Sequence, residues 1–577
     1  MFAGACRIVA ALAMVSVSFA AMAQVVPPSE QPGRERERFQ LPTPPLAQPG
    51  GPPITVQGTD APPGADQVVL VIRRISVVGA TVYSAGQLAA LYEDLVGRTV
   101  TLKAVYDAAQ RITAKYGADG YVLSRAIVPP QELDPKGADV RIQVVEGYVE
   151  KVEWPPALSK YVDFFSDYAA KITAQRPANI RTIERYLLLA ADLPGLKFKN
   201  SLKPHPTRQG AAILVVEVTE KPADLFSRVD NRGTKARGPY QFLISPTSNN
   251  LLHIHEAFSL TYAGAFQTRE LQYLAANYRQ VLTSEGLTAF ANASYGWGRP
   301  GTPELELLEY KTKSFYAETG LSYPIIRARE RNLIVTGLWF WTDDRSSFFD
   351  MPQTPPSTKD RMRGIRLKVD TDAADSLNAI NQLNFVFSHG FRGLGSTGNG
   401  DELASRANGR VDFTKAELTL SRLQPFMGGF SILVAAYAQH AFTPLLTSEL
   451  CSYGGRVFGR GFDPSQYVGD TCVNALAELR FDIPHELQAL TQAQLYGFTD
   501  HGWLHNLAPV LGTPKNVDAA SVGAGLRLGW LNSVTADLTV TRVAKKQALS
   551  VAQAIQQGQS DGLPRDNRFF FILTGRL

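Results

Sequence analysis

The chain has 577 residues, 45% hydrophobic and 19% charged, so it carries enough apolar surface for packed cores and is not a wholly disordered protein. Its formal charge of +5, from 58 basic and 53 acidic residues, is spread along the chain without a basic block and gives nucleic-acid binding no support. Beyond the first 25 residues no run reaches the roughly 18 apolar residues of a membrane-spanning helix, so any later span must be built from strands.

Residues 1–23 contain one positive side chain, Arg7, then an apolar stretch, then Ala21-Met22-Ala23 before Gln24. This is the order of a secretory signal peptide and predicts cleavage after Ala23; the apolar stretch is too short for a membrane anchor. Cleavage removes Cys6 and leaves Cys451 and Cys472, both delivered to an oxidising compartment. They could close a short loop or remain two free thiols, since spacing alone does not set geometry. Residues 24–66 are rich in proline, glycine and glutamine and read as an extended linker. Within it, Arg34-Glu35-Arg36-Glu37-Arg38 has room for a helical turn or two between Pro32 and Pro42, but the composition favours a solvated segment.

Residues 67–147 alternate between periods. Residues 68–78 are strand-like and end at Gly79. Leu88, Leu91, Tyr92 and Leu95 repeat at helical spacing, as do Val105, Ala108, Ala109, Ile112 and Tyr116. Strand signals follow at 121–128, stopped by Pro129-Pro130, and at 140–145, stopped by Glu146-Gly147. The predicted order is strand, helix, helix, strand, strand. Residues 148–222 are a weaker copy, with a helix near 183–191, a Pro194-Gly195 turn and an apolar strand at 211–218. Two small α+β domains in tandem would each carry a sheet edge able to accept an extended peptide as an added strand. Residues 115–131 (KYGADGYVLSRAIVPPQ) and 140–152 (VRIQVVEGYVEKV) resemble the polypeptide-transport-associated (POTRA) domain of two-partner secretion transporters, and 184–198 (ERYLLLAADLPGLKF) resembles the second POTRA domain of that family.

From 223 to 577 the helical period nearly disappears and alternating segments of about ten residues recur. Phe258, Leu260 and Tyr262 share one face; Ile365, Leu367 and Val369 alternate with Arg366, Lys368 and Asp370. Lipid on one side and a watery lumen on the other impose this pattern, and Tyr295, Trp297, Trp339 and Trp341 suit interfacial girdles. A soluble β-sandwich also alternates but is typically much shorter than this region. The length allows an antiparallel transmembrane barrel of 16 strands at roughly 22 residues per strand and connection. Phe569, Phe571 and Leu573 alternate toward the C-terminus as in a final barrel strand, although Leu577 stands where an aromatic is usual and Gly575 where an apolar side chain is common.

Between the two cysteines lies Gly454-Gly455-Arg456-Val457-Phe458-Gly459-Arg460-Gly461-Phe462-Asp463, and downstream Phe498-Thr499-Asp500-His501-Gly502. Together they resemble the inward-folded sixth extracellular loop and its barrel-wall partner in the superfamily of two-partner secretion transporters and outer-membrane insertases. Gly459 replaces the usual Val of the loop motif; Arg460, Gly461 and Phe462 match, as do Phe498, Asp500 and Gly502. A guanidinium in a partly dehydrated lumen needs a carboxylate, and Asp500 is the expected partner of Arg460. Val229-Asp230-Asn231-Arg232-Gly233, with Gly238, resembles the first barrel strand of the same transporters.

No Walker loop is present, because the glycine-rich stretch 393–400 lacks its lysine, so nucleotide hydrolysis is not expected. His253 and His255 form the only close histidine pair, and their alternate spacing suits a strand face better than zinc. No hydrolase motif is visible, and neither an enzyme nor a cofactor or metal is expected. The resemblance implies a haemolysin secretion/activation transporter in the bacterial outer membrane, its linker and POTRA domains in the periplasm. It would recognise an unfolded, β-rich exoprotein there and pass it through the barrel. Its other partners would be outer-membrane lipid and, during biogenesis, the barrel assembly machinery, with no nucleic acid. A barrel-insertion factor and a passive porin are the competing readings.

Overall fold

The computed structural model describes residues 26–40, 44–48, 60–349, 358–509, 514–546 and 567–577; the expected export signal lies outside them.

The first small unit is a four-stranded sheet. Val69–Val78 lies beside Ala138–Val145 in parallel, with the short strands Thr99–Thr101 and Arg125–Ile127 on the two edges. Helix Leu102–Ala118 covers one face with the five residues whose spacing predicts it, Val105, Ala108, Ala109, Ile112 and Tyr116. The three-residue strand between the helices escapes a period-2 search by its length. The strand expected at 121–128 shrinks to Arg125–Ile127, because residues 121–123 form a turn after Gly120, whose φ is +94°, and Pro129-Pro130 follows. Glu146 closes the unit. It accepts hydrogen bonds from the Thr81 and Val82 N–H groups at 2.7 and 3.1 Å, from the Thr81 hydroxyl, and from the Tyr116 hydroxyl at 2.7 Å. Burial pushes this carboxyl up, but the hydrogen bonds outweigh it and hold the group below its ordinary range.

The second unit is a three-stranded sheet, with Ala211–Glu220 between a parallel Tyr148–Glu153 and an antiparallel Leu196–Pro204. Its core joins Tyr168 and Ile172 of helix Phe165–Ala174 to Ile183 and Leu189 of helix Ile180–Ala191 and to Leu214 and Val216. Sequence reading misses the first of these helices and the strand Leu196–Pro204. Only Leu196 of that strand is buried, so no alternation is written into it.

Sixteen antiparallel strands, from Ala223–Asp230 to Asn567–Arg576, close into a barrel in which the last strand pairs with the first. The alternation is the predicted one. Phe258, Leu260, Tyr262, Ile365, Leu367, Phe569 and Leu573 face outward, whereas Arg366 and Phe570 are buried on the lumen side. No helix among the described residues is long and apolar enough to cross a membrane.

The second small unit docks on the barrel turns at one end. Arg327 forks onto Asp192 at 2.7 and 2.8 Å, the Tyr186 hydroxyl donates to Glu285 at 3.0 Å, and Val281 joins the unit's apolar core. His253 and His255 do not lie on a strand face. Both sit in the turn after residue 249 with positive φ, and His255 packs on Phe164 at 4.7 Å with Nε2 2.8 Å from the Val162 carbonyl. The turn has to bend sharply there to meet the docked unit.

Residues 26–40 are not a solvated linker. They enter the barrel, where helix Glu35–Phe39 is seated with Arg34 1% and Glu35 4% exposed. Composition cannot distinguish water from a polar lumen, because the loop, the wall and the segment itself supply polar or aromatic partners for these side chains.

Candidate functional site

Residues 442–470 connect two barrel strands and fold back into the lumen. A two-stranded ribbon, Cys451–Tyr453 with Tyr467–Gly469, carries the glycine-rich tip inward. Gly459 has φ +71°, and a β-carbon there would lie 2.6 Å from the Gly454 nitrogen, so this position of the tip accepts no side chain. Cys451 and Cys472 are joined in a disulfide that ties the ribbon to the strand Thr471–Asp482. Phe462, 2% exposed, packs between the rings of Tyr453 and Tyr467 at 5.4 and 5.6 Å.

The two motifs meet, but not through the expected fork. The Arg460 guanidinium lies 3.4 Å above the centre of the Phe498 ring, and its Nη1 donates to Glu478 at 2.5 Å. Its Nε stands 3.6 Å from Asp500, a longer contact. Asp500 instead organises the loop backbone. It accepts the Arg460 N–H at 3.1 Å, the Tyr453 hydroxyl at 2.9 Å and the Ser521 hydroxyl. Gly461 N–H in turn donates to the Ser521 hydroxyl at 3.0 Å.

Register explains the exchange of partners. On the facing strands Thr471–Asp482 and Leu490–His505, Glu478 stands opposite Phe498 and Leu476 opposite Asp500. A guanidinium lying flat on Phe498 therefore reaches Glu478. Arg480 and Arg527 converge on the same carboxylate at 2.7 and 2.9 Å. Sequence reading misses Glu478, although its inward parity within an alternating strand is a usable signal. Gly502 is explained by close approach, since a β-carbon there would overlap the ring of Tyr453.

Residues 26–40 and 44–48 complete the lumen. Val26 packs with Ala236, Leu305, Tyr310 and Phe348 at the end far from the small units. Near the opposite end, the N–H groups of Leu46 and Ala47 donate to Asp372 at 2.7 and 3.1 Å. In between, Arg34 donates to the carbonyls of Thr447 and Leu450 at 2.5 and 3.0 Å, and Glu37 accepts the hydroxyls of Ser452 and Ser465, both at 3.0 Å. Arg237 holds Glu30 at 3.0 Å with both side chains at most 2% exposed. The helix is thus fastened to the inward-folded loop as well as to the wall.

A closed barrel of sixteen strands, small α+β units at one end and a loop folded into the lumen together define a narrow class of proteins. Residues 209–528 match the family model described as haemolysin secretion/activation protein ShlB/FhaC/HecB. The chain belongs to that family. Residues 70–147 match the POTRA domain of ShlB type. The heme/hemopexin transporter protein HuxB of Haemophilus influenzae (strain 86-028NP) is 24% identical over 472 residues, covering 79% of this chain and 80% of the relative. The outer membrane transporter CdiB of Dickeya dadantii (strain 3937) is 20% identical over 477 residues, covering 80% and 81%. Among solved structures, CdiB from Escherichia coli superposes with a TM-score of 0.68 at 18% identity, covering 91% of this chain and 94% of that one. The family places the barrel in the outer membrane and the POTRA domain in the periplasm, so residues 442–470 depart from the cell-surface end, and residues 26–40 and 44–48 lie between the two faces.

Proposed function

We propose that this chain captures an unfolded exoprotein with its POTRA units and passes it through the barrel without nucleotide hydrolysis, with Arg460 seating the loop that sets the channel. The observation that carries the reading is the lumen. Its two occupants, the inward-folded loop and residues 26–40, are held by ion pairs and hydrogen bonds as well as by small apolar clusters, and beneath them the POTRA-bearing end opens into a cavity of about 870 Å³ whose lining includes Asp192, Arg279, Ser259 and Lys368. Extended segments would add to a sheet edge such as Leu196–Pro204, which has a single neighbour in its sheet. The chain acts as a transporter rather than an enzyme. Export would begin with cleavage after Ala23, and the assembly machinery would read Phe569, Phe571 and Leu573 on the lipid-facing side of the last strand. The test is to express the chain with candidate secreted partners encoded beside it and to measure the partner in the medium. Release that requires both the chain and Arg460 supports the reading. No release, together with defective assembly of other barrels in a deletion strain, would replace it with barrel insertion.

A further inference from the structure

The joint where the barrel closes differs from its neighbours. The first strand, Ala223–Asp230, faces the last, Asn567–Arg576, over five residues, from Phe226 opposite Arg576 to Asp230 opposite Ile572. The first strand pairs with the second over eight residues, and the last with its predecessor over nine. Toward the cell surface the last strand therefore continues past the end of the backbone ladder. One long backbone bond remains there, from the Asn231 N–H to the Phe571 carbonyl at 3.4 Å, and side chains supply the rest. The Asn231 amide accepts the Phe571 N–H at 2.8 Å and donates to the Phe569 carbonyl at 3.0 Å, imitating one more rung. The Arg232 guanidinium lies 4.0 Å above the Phe570 ring and donates to the carbonyls of Gly455 and Arg460 at 3.3 and 2.8 Å.

The inward-folded loop grips both sides of this joint. On the first strand it pairs Arg456 with Asp230 and caps itself on Arg232. On the last strand it pairs Asp463 with Arg568 at 2.7 Å. We propose that Asp463 and Arg568 are positioning residues that make the loop a clasp across the barrel's closing joint, so that unseating the loop and loosening the joint are one event. A loop held to one wall alone would leave the surface-side half of the joint sealed by Asn231 and the Arg232–Phe570 stack. With Arg568 engaged, the loop spans it. The inference does not depend on the cargo, because conductance reads it without any secreted partner.

The experiment uses the full chain in planar bilayers. Arg568→Asp sets two carboxylates against each other and is expected to raise the frequency of large openings roughly tenfold, while adding Asp463→Arg to the same chain restores wild-type behaviour to within about twofold. The restoration separates a specific clasp from general damage to the barrel, and folded mobility in cold SDS gels checks assembly. Should Arg568→Asp fail to assemble, Arg568→Gln and Asp463→Asn are expected to raise the openings about fivefold each, and together no further than either alone. Wild-type openings in the single variants, additive effects in the neutral pair, or a charge-swapped chain as leaky as Arg568→Asp would overturn the proposal.

Discussion

The carboxylate that receives Arg460 decides how the loop is held, and Glu478→Gln tests it. Glu478 is 1% exposed and accepts three guanidinium groups, from Arg460, Arg480 and Arg527, at 2.5, 2.7 and 2.9 Å. The substitution keeps the shape and one acceptor oxygen but removes the charge those groups share. Removing one partner of a buried ion pair typically costs about 3–5 kcal/mol, and about 3 kcal/mol is a shift of roughly a hundredfold in a two-state equilibrium. Asp500→Asn removes a charge that faces two hydroxyls and a backbone N–H, with the guanidinium at 3.6 Å. It is expected to shift the equilibrium only about tenfold.

Ser465 provides the readout, because it is 2% exposed and its hydroxyl touches Glu37. In a Ser465→Cys background, with the native cysteines joined in their disulfide, the rate of modification by a small maleimide reports the fraction of time the loop is unseated. The expected order is wild type, then Asp500→Asn about tenfold faster, then Glu478→Gln about a hundredfold faster. Arg460→Lys keeps the charge but loses the fork and the stacking on Phe498, and belongs with the faster variants. Equal rates in wild type and Glu478→Gln, alongside fast modification in Asp500→Asn, would refute this assignment and return Asp500 to the role the motif first suggests.

Gly502→Ala drives a methyl group into the Tyr453 ring and is expected to destabilise the seated loop by about 1–3 kcal/mol, measured by the same cysteine rate. Arg237→Met leaves Glu30 buried without its main partner, so the resting channel should conduct more in planar bilayers; an unchanged conductance would remove this pair from the seal. The Glu146 carboxyl is held below its unfolded value, so its contribution to the first POTRA unit is fully present above that value and disappears as pH falls through the lower folded one. Glu146→Gln should flatten the acid-side loss of hydrogen-exchange protection in residues 69–145, whereas an identical acid limb in variant and wild type would exclude Glu146 as its source.

What the sequence shows and hides follows from where each constraint resides. The alternation at Phe258, Leu260 and Tyr262 is legible because lipid and lumen are separated by one residue of backbone. The loop motif is legible because its tight tip and the Arg460 and Phe462 contacts require particular residue types in fixed order. Glu478 is not, because its meeting with Arg460 depends on the register between two strands, and shifting that register by two residues would bring Leu476 opposite Phe498. Helix Phe165–Ala174 and strand Leu196–Pro204 fail for a different reason. One is short and the other buries only Leu196 and, in part, Phe198, so tertiary packing decides them and local pattern does not.

The charged run at 34–38 carries the furthest-reaching case. Its composition would suit a solvated segment, and the lumen offers it the same chemistry in another form, with the Thr447 and Leu450 carbonyls for Arg34, serine hydroxyls for Glu37 and the Tyr316 ring 3.8 Å beneath Arg36. Water can replace nearly every one of these contacts. Net hydrogen-bond contributions are about 0.5–1.5 kcal/mol because the unbound groups are hydrated, so a segment held this way can leave without exposing a large apolar face. Phe39 and Val26 are the exceptions, since Phe39 packs on Tyr273 at 5.3 Å among Leu243, Ala263 and Leu271 and Val26 sits among Leu305, Tyr310 and Phe348. A lumen filled by hydrocarbon contacts would be sealed as permanently as a protein core. One occupied by a charged segment with apolar anchors at Val26 and Phe39 is held largely by contacts that water can replace, and the amino acids that make the segment look like a linker are the ones that suit both settings.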